Sequence, residues 1–350
     1  MGRHSGNRER APEAGNLPGG APQALAIVST SPHIRTSRTT RGIMLDVCLA
    51  LLPALAAAVG SFGTRALMVT AVSVACCVGF EACIRRAMKK EQTVGDLSAV
   101  VTGLLLAFNL PAALPLWMVP VGAFVAIVVA KQLFGGIGQN FANPAITARI
   151  VLLLSFTTQM TAWNAPNGHS WGLGLAGSDA VASATPLKAM ASGGAEALPG
   201  LWEMFLGQRA GSLGEACALA LLLGGIYLCV RKVITPLIPL CFLGTAAVFS
   251  LFYGHFDWSF VAYQLLGGGL LLGAIFMATD YATSPAHWKG KIVFAVGCGL
   301  VTCLIRFYGN MPEGASFAIL LMNLLVPLIE RAFAPQPFGK ERTPRAKAKA

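Results

Sequence analysis

The chain has 350 residues, 55% of them hydrophobic and only 12% charged, with a mean hydropathy of +0.64. Soluble globular domains carry about a quarter of their residues as charges, so this composition excludes that class and points to a membrane protein. A formal net charge of +11, from 26 Lys and Arg against 15 Asp and Glu, raises either nucleic acid or anionic lipid as a partner, and the placement of the cations decides between them.

Residues 1–42 are polar, rich in Pro and Gly and studded with Arg, with no cleavable secretory signal, and form an N-terminal segment expected on the cytoplasmic side. From Ile43 onward, apolar runs recur that are each long enough for a helix to cross a hydrocarbon core of about 30 Å. Ten are expected: 43–60, 66–84, 97–110, 116–133, 145–160, 213–230, 234–253, 260–278, 291–307 and 315–333. The fold class is therefore an all-α integral membrane protein. Its first membrane half covers 43–160 and its second 213–333, with a basic tail over 334–350. Between the halves lies 161–212, rich in Gly, Ala, Ser and Pro, which must face water because unpaired backbone is not tolerated in lipid.

The cations settle orientation. With the N-terminus inside, Arg85, Arg86, Lys89, Lys90, Lys131, Arg149, Arg231, Lys232, Lys289, Lys291, Arg331 and both basic ends share one side. Arg65, Lys188, Arg209 and Arg306 are left on the other. Lys and Arg accumulate on the cytoplasmic side, so both termini are expected there and 161–212 is a periplasmic loop. The positive charge is then a topological marker beside membrane lipid, with no nucleic-acid partner.

Two stretches hint at an internal repeat. FGGIGQNFA at 134–142 is like YGNMPEGASFA at 308–318, and GLLLAF at 103–108 is like GLLLGAIF at 269–276. Two five-helix halves have opposite topology, the arrangement of inverted-repeat membrane proteins, though Gly/Leu-rich membrane sequence also produces such likeness by chance.

Read from the residues alone, the polar groups are bland. SDAVASATPL at 178–187 is a hydroxyl-rich turn suited to capping. Gly135, Gly136 and Gly138 form a loop that leads to Asn143 as the cap of a helix starting at Pro144. Among the ionisable groups in or beside the spans, Glu81 precedes Arg85 by one turn and is expected to pair with it. Asp46, Arg149 and Asp280 are expected at solvated cytoplasmic ends, and Glu215 at a helix N-terminus. The nine cysteines all lie in apolar runs without C-x-x-C spacing and read as packing residues. The five histidines lack metal or haem spacing, and neither a P-loop nor a dinucleotide fingerprint occurs, so no catalytic or metal-binding residue is assigned.

Resemblance adds function. Asp179, Ser183, Ala184 and Thr185 match the motif at which flavin mononucleotide (FMN) is covalently attached in RnfD, a component of the Rnf electron-transport complex, and in the related NqrB component of the sodium-translocating NADH:quinone oxidoreductase. SPHIRTSRTTRGIMLDV at 31–47, FGGIGQNFANPA at 134–145, MATDYATSP at 277–285 and PEGASFAILLMNLLVPLIE at 312–330 also resemble RnfD in order and spacing, as does PQPFG at 335–339. The likeness covers the whole membrane region, and the family has about ten membrane helices.

The resemblance implies an inner-membrane flavoprotein that works as part of a complex, not a complete enzyme alone. It would relay electrons between ferredoxin and NAD in a complex that moves Na+ or H+. Thr185 would hold FMN through a phosphoester, with Asp179 and Ser183 serving the separate magnesium-dependent FMN transferase or the phosphate. A second, non-covalent flavin, riboflavin, would lie against Asn140 and Asn143, with Thr279, Asp280, Thr283 and Ser284 facing the same pocket. The implied partners are the other Rnf subunits, including a second covalent flavoprotein. An inverted-repeat channel or transporter for a small solute is the competing reading, and a purely structural membrane component is a third.

Overall fold

The structure is a computed structural model that describes residues 38–163, 185–191, 198–207, 210–215, 217–309 and 314–333. All of these but Arg38 belong to one compact unit, Thr39–Ala350. Every regular element among the described residues is helical. In chain order they are α1 (Thr40–Phe62), α2 (Thr64–Ala87), α3 (Ser98–Phe108), α4 (Met118–Phe124, continued by a π-helical stretch Val125–Gln132), α5 (Pro144–Ser155) and α6 (Thr157–Met160). After these come α7 (Pro186–Ala191), α8 (Leu201–Leu206), α9 (Ala218–Val230), α10 (Leu237–Tyr253), α11 (Trp258–Leu266), α12 (Leu270–Leu272, continued by a π-helical stretch Gly273–Met277), α13 (Trp288–Tyr308) and α14 (Ala315–Phe333).

Four of them, α1, α2, α13 and α14, are each long and apolar enough to cross a membrane. The pair α11 and α12 passes the same test together but is bent by 64°. Five more apolar helices are shorter: α3, α4 with its continuation, α5, α9 and α10. These lengths and compositions make the chain a multi-pass membrane protein, with exposed Leu, Ile, Val and Phe side chains suited to lipid.

Capping explains several helix starts. Thr39 Oγ1 accepts from Gly42 N–H ahead of α1, Asn143 Oδ1 from Ala145 N–H ahead of α5, and Asp257 Oδ1 from Ser259 N–H ahead of α11. Where continuous runs are expected from hydropathy, one gives only a short helix and two are interrupted. The 97–110 run yields an α3 of 11 residues, about 16 Å long and roughly half a membrane. The 145–160 run breaks at Phe156, and the 260–278 run breaks at Gly267–Gly269. At the last break, Gly268 and Gly269 both adopt φ +65°. The freed carbonyls are taken up by Arg306 of α13, which donates to Gln264 O at 2.6 Å, Gly267 O at 3.0 Å and Gly268 O at 3.3 Å. Apolarity marks these runs as buried but does not reveal where a side chain from elsewhere replaces a helical hydrogen bond.

Small residues set the closest approaches, as they do between membrane helices generally. At Gly103 of α3 a Cβ would lie 2.7 Å from Val74 Cα of α2, and at Gly224 of α9 it would lie 2.3 Å from Ala50 O of α1. Both are backbone contacts that cannot yield by a side-chain rotation. Gly224→Val is expected to destabilise the purified protein by about 1–3 kcal/mol or more through forced separation of α1 and α9. Gly79→Ala, with open space around it on α2, is expected to be neutral or mildly stabilising. Thermal unfolding in detergent measures both, and equal melting points for the two variants would contradict this packing.

Candidate functional site

One cleft gathers Asn140, Asn143, Thr279 and Asp280, four of the six residues that the resemblance assigns to the riboflavin pocket. Its walls come from α1 (Ile43, Met44, Val47), from one face of α3 (Ser98, Val101, Thr102, Leu105), and from Leu228, Val233, Ile234 and Phe276. The spacing along α3 is that of a single helical face. Lys131, Asn140, Asn143, Thr279, Asp280 and Tyr281 add polar groups. The cleft holds about 100 Å³ of accessible space in this structure, and its mostly apolar lining with a few convergent polar groups is typical of small-molecule sites. Both π-helical stretches contribute, one through Lys131 and the other through Phe276. Such stretches recur at functional sites because the wider turn re-aims side chains.

Asn143 does two things at once. Its Oδ1 accepts from Ala145 N–H at 3.0 Å and Ile146 N–H at 3.4 Å, and its Nδ2 donates to Met277 O at 3.2 Å. It therefore caps α5 and fastens it to the end of the second π-helical stretch, while its side chain lines the cleft. Asn140 differs: its buried Oδ1 has no hydrogen-bond partner among the described residues. A buried acceptor without a partner is unusual, and this one belongs to a residue of the cleft lining. Asp280 accepts from Thr283 Oγ1 at 3.2 Å and from Ala282 N–H at 3.4 Å. Thr283 is buried behind Asp280 rather than in the cleft lining. Burial pushes the Asp280 carboxyl above its ordinary value, opposed by those two hydrogen bonds and by the Lys131 charge.

Lys131 is 2% exposed, and its Nζ donates to Glu81 Oε2 and to Ser98 Oγ, both at 2.7 Å. This corrects the expected Glu81–Arg85 pair: Glu81 takes Lys131 and Thr93 Oγ1, while Arg85 donates to Glu91 O at 2.8 Å. The i,i+4 rule describes an isolated helix, whereas here α4 delivers a cation across 50 residues of sequence. Arg149 is also not at a solvated end. It is 4% exposed and donates from Nη1 to Asn109 Oδ1 at 2.8 Å, one turn beyond the cleft along α3. Glu215 is buried and accepts from Ser212 Oγ at 2.8 Å. Asn323 of α14 lies in the 312–330 stretch that carries the resemblance but is given no role from sequence. In the orientation its neighbours require, its amide donates to Thr283 O at 3.0 Å and accepts from Asn143 N–H at 3.1 Å, joining the two polar segments. A lone Asn in the apolar run 315–333 is the signal that could have found it.

Thr185 stands apart from the cleft. It is buried at the start of α7, its Oγ1 accepting from Lys188 N–H at 3.3 Å, so the capping reading of this hydroxyl holds locally. Leu187 packs against Gly267 at the break between α11 and α12. Asp179 and Ser183 lie outside the described residues.

The sequence matches the profile of the NQR2, RnfD, RnfE family over residues 27–339. The chain belongs to this family. The D component of the Na(+)-translocating ferredoxin:NAD(+) oxidoreductase complex of Acetobacterium woodii is 47% identical over 317 residues, covering 90% of this chain and 94% of the relative. The D component of the proton-translocating ferredoxin:NAD(+) oxidoreductase complex of Clostridium ljungdahlii is 40% identical over 326 residues, covering 90% and 96%. The D component of an ion-translocating oxidoreductase complex of Stutzerimonas stutzeri is 39% identical over 324 residues, covering 85% and 92%.

Asp280 supplies a pH-dependent test. With its native value raised, a carboxylate there opposes folding above the ordinary Asp range, and that cost disappears as pH falls toward about 4 and the group is protonated in both states. Asp280→Asn keeps an acceptor for Thr283 and removes the charge. Its melting point is expected to exceed that of the wild type at neutral pH, with the gap closing on acidification. A gap that does not change with pH would contradict the assignment.

Proposed function

We propose that this protein is the flavin-carrying D component of an ion-translocating ferredoxin:NAD+ oxidoreductase complex in a bacterial inner membrane. In this reading the four long helices, the bent α11–α12 pair and the five shorter apolar helices are ten membrane segments. They form two inverted five-helix halves, with both termini cytoplasmic and the 161–212 loop periplasmic. The packing supports the inversion. The contact of α2 with α3 and α4 is matched by that of α10 with α11 and α13, α4 on α5 by α13 on α14, and α1 meets α9 across the centre.

The observation that carries the functional reading is the convergence of Asn140, Asn143 and Asp280 on one cleft, with the buried Asn140 oxygen lacking a hydrogen-bond partner among the described residues. The chemistry of the lining suits riboflavin: apolar walls for a flat ring, and Lys131, Asn140 and Asp280 for its polar edge. FMN joined to the Thr185 oxygen through a phosphoester supplies the second redox centre. Bound flavins contribute reversible electron uptake and release; the chain binds, orients and shields them. From Gly267, against which Leu187 of the Thr185 segment packs, the chain passes the break and then seven residues of helix, about 10 Å, from Leu270 to Phe276 in the cleft wall. Two flavins so placed form a relay from the cytoplasmic to the periplasmic side, with a second flavoprotein of the complex as the neighbouring carrier and an FMN transferase needed for maturation. The relatives divide between Na+ and H+ at similar identity, so overall likeness does not choose the ion.

On a denaturing gel viewed under ultraviolet light, the chain from a host carrying the transferase is expected to fluoresce yellow-green, and Thr185→Ala to abolish the signal. A dark wild-type band would sink the covalent assignment and favour the solute channel. Vesicles bearing the complex are expected to build a membrane potential on ferredoxin oxidation. Its dependence on added sodium identifies the ion.

A further inference from the structure

We propose that the Lys131 ammonium is the charge partner of the non-covalent flavin, holding the pyrimidine edge of its ring and stabilising the reduced form; this rests on the cleft being that flavin's site. Lys131 lines the cleft although it is almost fully buried, and Ser98, which binds its Nζ, lines the cleft as well. Glu81 and Ser98, each at 2.7 Å, fix the ammonium and take two of its three donors, which leaves one N–H for a group bound in the cleft that Lys131 lines. Ser98 opens α3, an 11-residue helix whose N-terminal dipole adds positive potential at the same end. The cleft thus brings the Lys131 ammonium and the N-terminus of α3 onto the same lining as the Asn140 amide and the Asp280 carboxyl.

That combination matches the chemistry of an isoalloxazine. Uptake of two electrons, delivered from ferredoxin in the proposed reaction, and of one proton at the central ring leaves one negative charge on the pyrimidine edge. A cation held in a low-dielectric site favours the charged reduced state over the neutral oxidised one and raises the reduction potential. Glu81 tempers this effect, because its carboxylate balances the ammonium from the far side. Lys131 acts on the ring directly and Glu81 acts through Lys131, as a positioning residue.

The two groups should therefore move the potential in opposite directions. The test uses the purified complex in a Thr185→Ala background, which removes one overlapping flavin. Two quantities are read: the flavin released by acid, and the midpoint potential of that releasable flavin from an absorbance titration. Lys131→Met is expected to shift the potential negative, Lys131→Arg to leave it near the wild type, and Glu81→Gln to shift it positive. Unchanged potentials, or shifts of the same sign for Lys131→Met and Glu81→Gln, would overturn the proposal. If the single variants fail to assemble because one buried charge is left alone, the double variant Glu81→Gln/Lys131→Met removes both and decides the matter. Loss of the ammonium contact then still predicts a potential below the wild type, and a wild-type potential overturns it. A wild-type complex with no acid-releasable flavin would instead overturn the assignment of the cleft itself.

Discussion

Inside a membrane every backbone N–H and C=O has to find a partner within the protein, and a gap in a helix survives only where side chains replace the missing bonds. Arg306 does this at the Gly267–Gly269 break, where its guanidinium collects three carbonyls. The break frees α12 to run at 64° to α11, and its π-helical end carries Phe276 to the cleft wall and Met277 O to Asn143. The same segment runs on into the cleft residues Phe276, Thr279, Asp280 and Tyr281. One side of the cleft thus depends on how a broken helix is satisfied.

The buried charges obey the same logic. An isolated ion in this environment costs several kcal/mol, so each must be held by groups brought from distant parts of the chain. Lys131 meets Glu81 and Ser98, and Arg149 meets Asn109. These contacts tie α2, α3, α4 and α5 together more specifically than apolar packing can, since Leu and Val contacts tolerate sliding and a fixed ion pair does not. Around the cleft the outcome is a rigid polar frame in an apolar bundle, which is what a redox group needs if its surroundings are not to rearrange at each turnover.

Most of the fold was legible from hydropathy alone. The helical boundaries of α1, α2, α10, α13 and α14 lie within a few residues of the apolar runs, because a stretch that must cross lipid has little freedom to be anything else. The interruptions at 156 and 267–269 were not legible, since they depend on a distant arginine and on glycine backbone angles. The candidate site was half visible. Asn140, Asn143 and Asp280 were picked by resemblance and do share one cleft, yet Asn143 spends its polar atoms on α5 and Met277, and Thr283 supports Asp280 from behind. Lys131 was seen only as a topological cation. Its partner Glu81 was assigned to Arg85 because local spacing on a helix is visible in sequence while the approach of α4 is not. Asn323 was passed over as one polar residue in an apolar run.

The central claim is that the cleft between α1, α3 and the 276–281 segment is built around a flat redox ring. A density map of the assembled complex, at a resolution that separates side chains, tests it most directly. The account predicts planar three-ring density against the α3 face of Val101 and Leu105, with its polar edge toward Lys131 and Asn140. A cleft closed by its own side chains or threaded by an acyl chain, in a complex that transfers electrons, would contradict it.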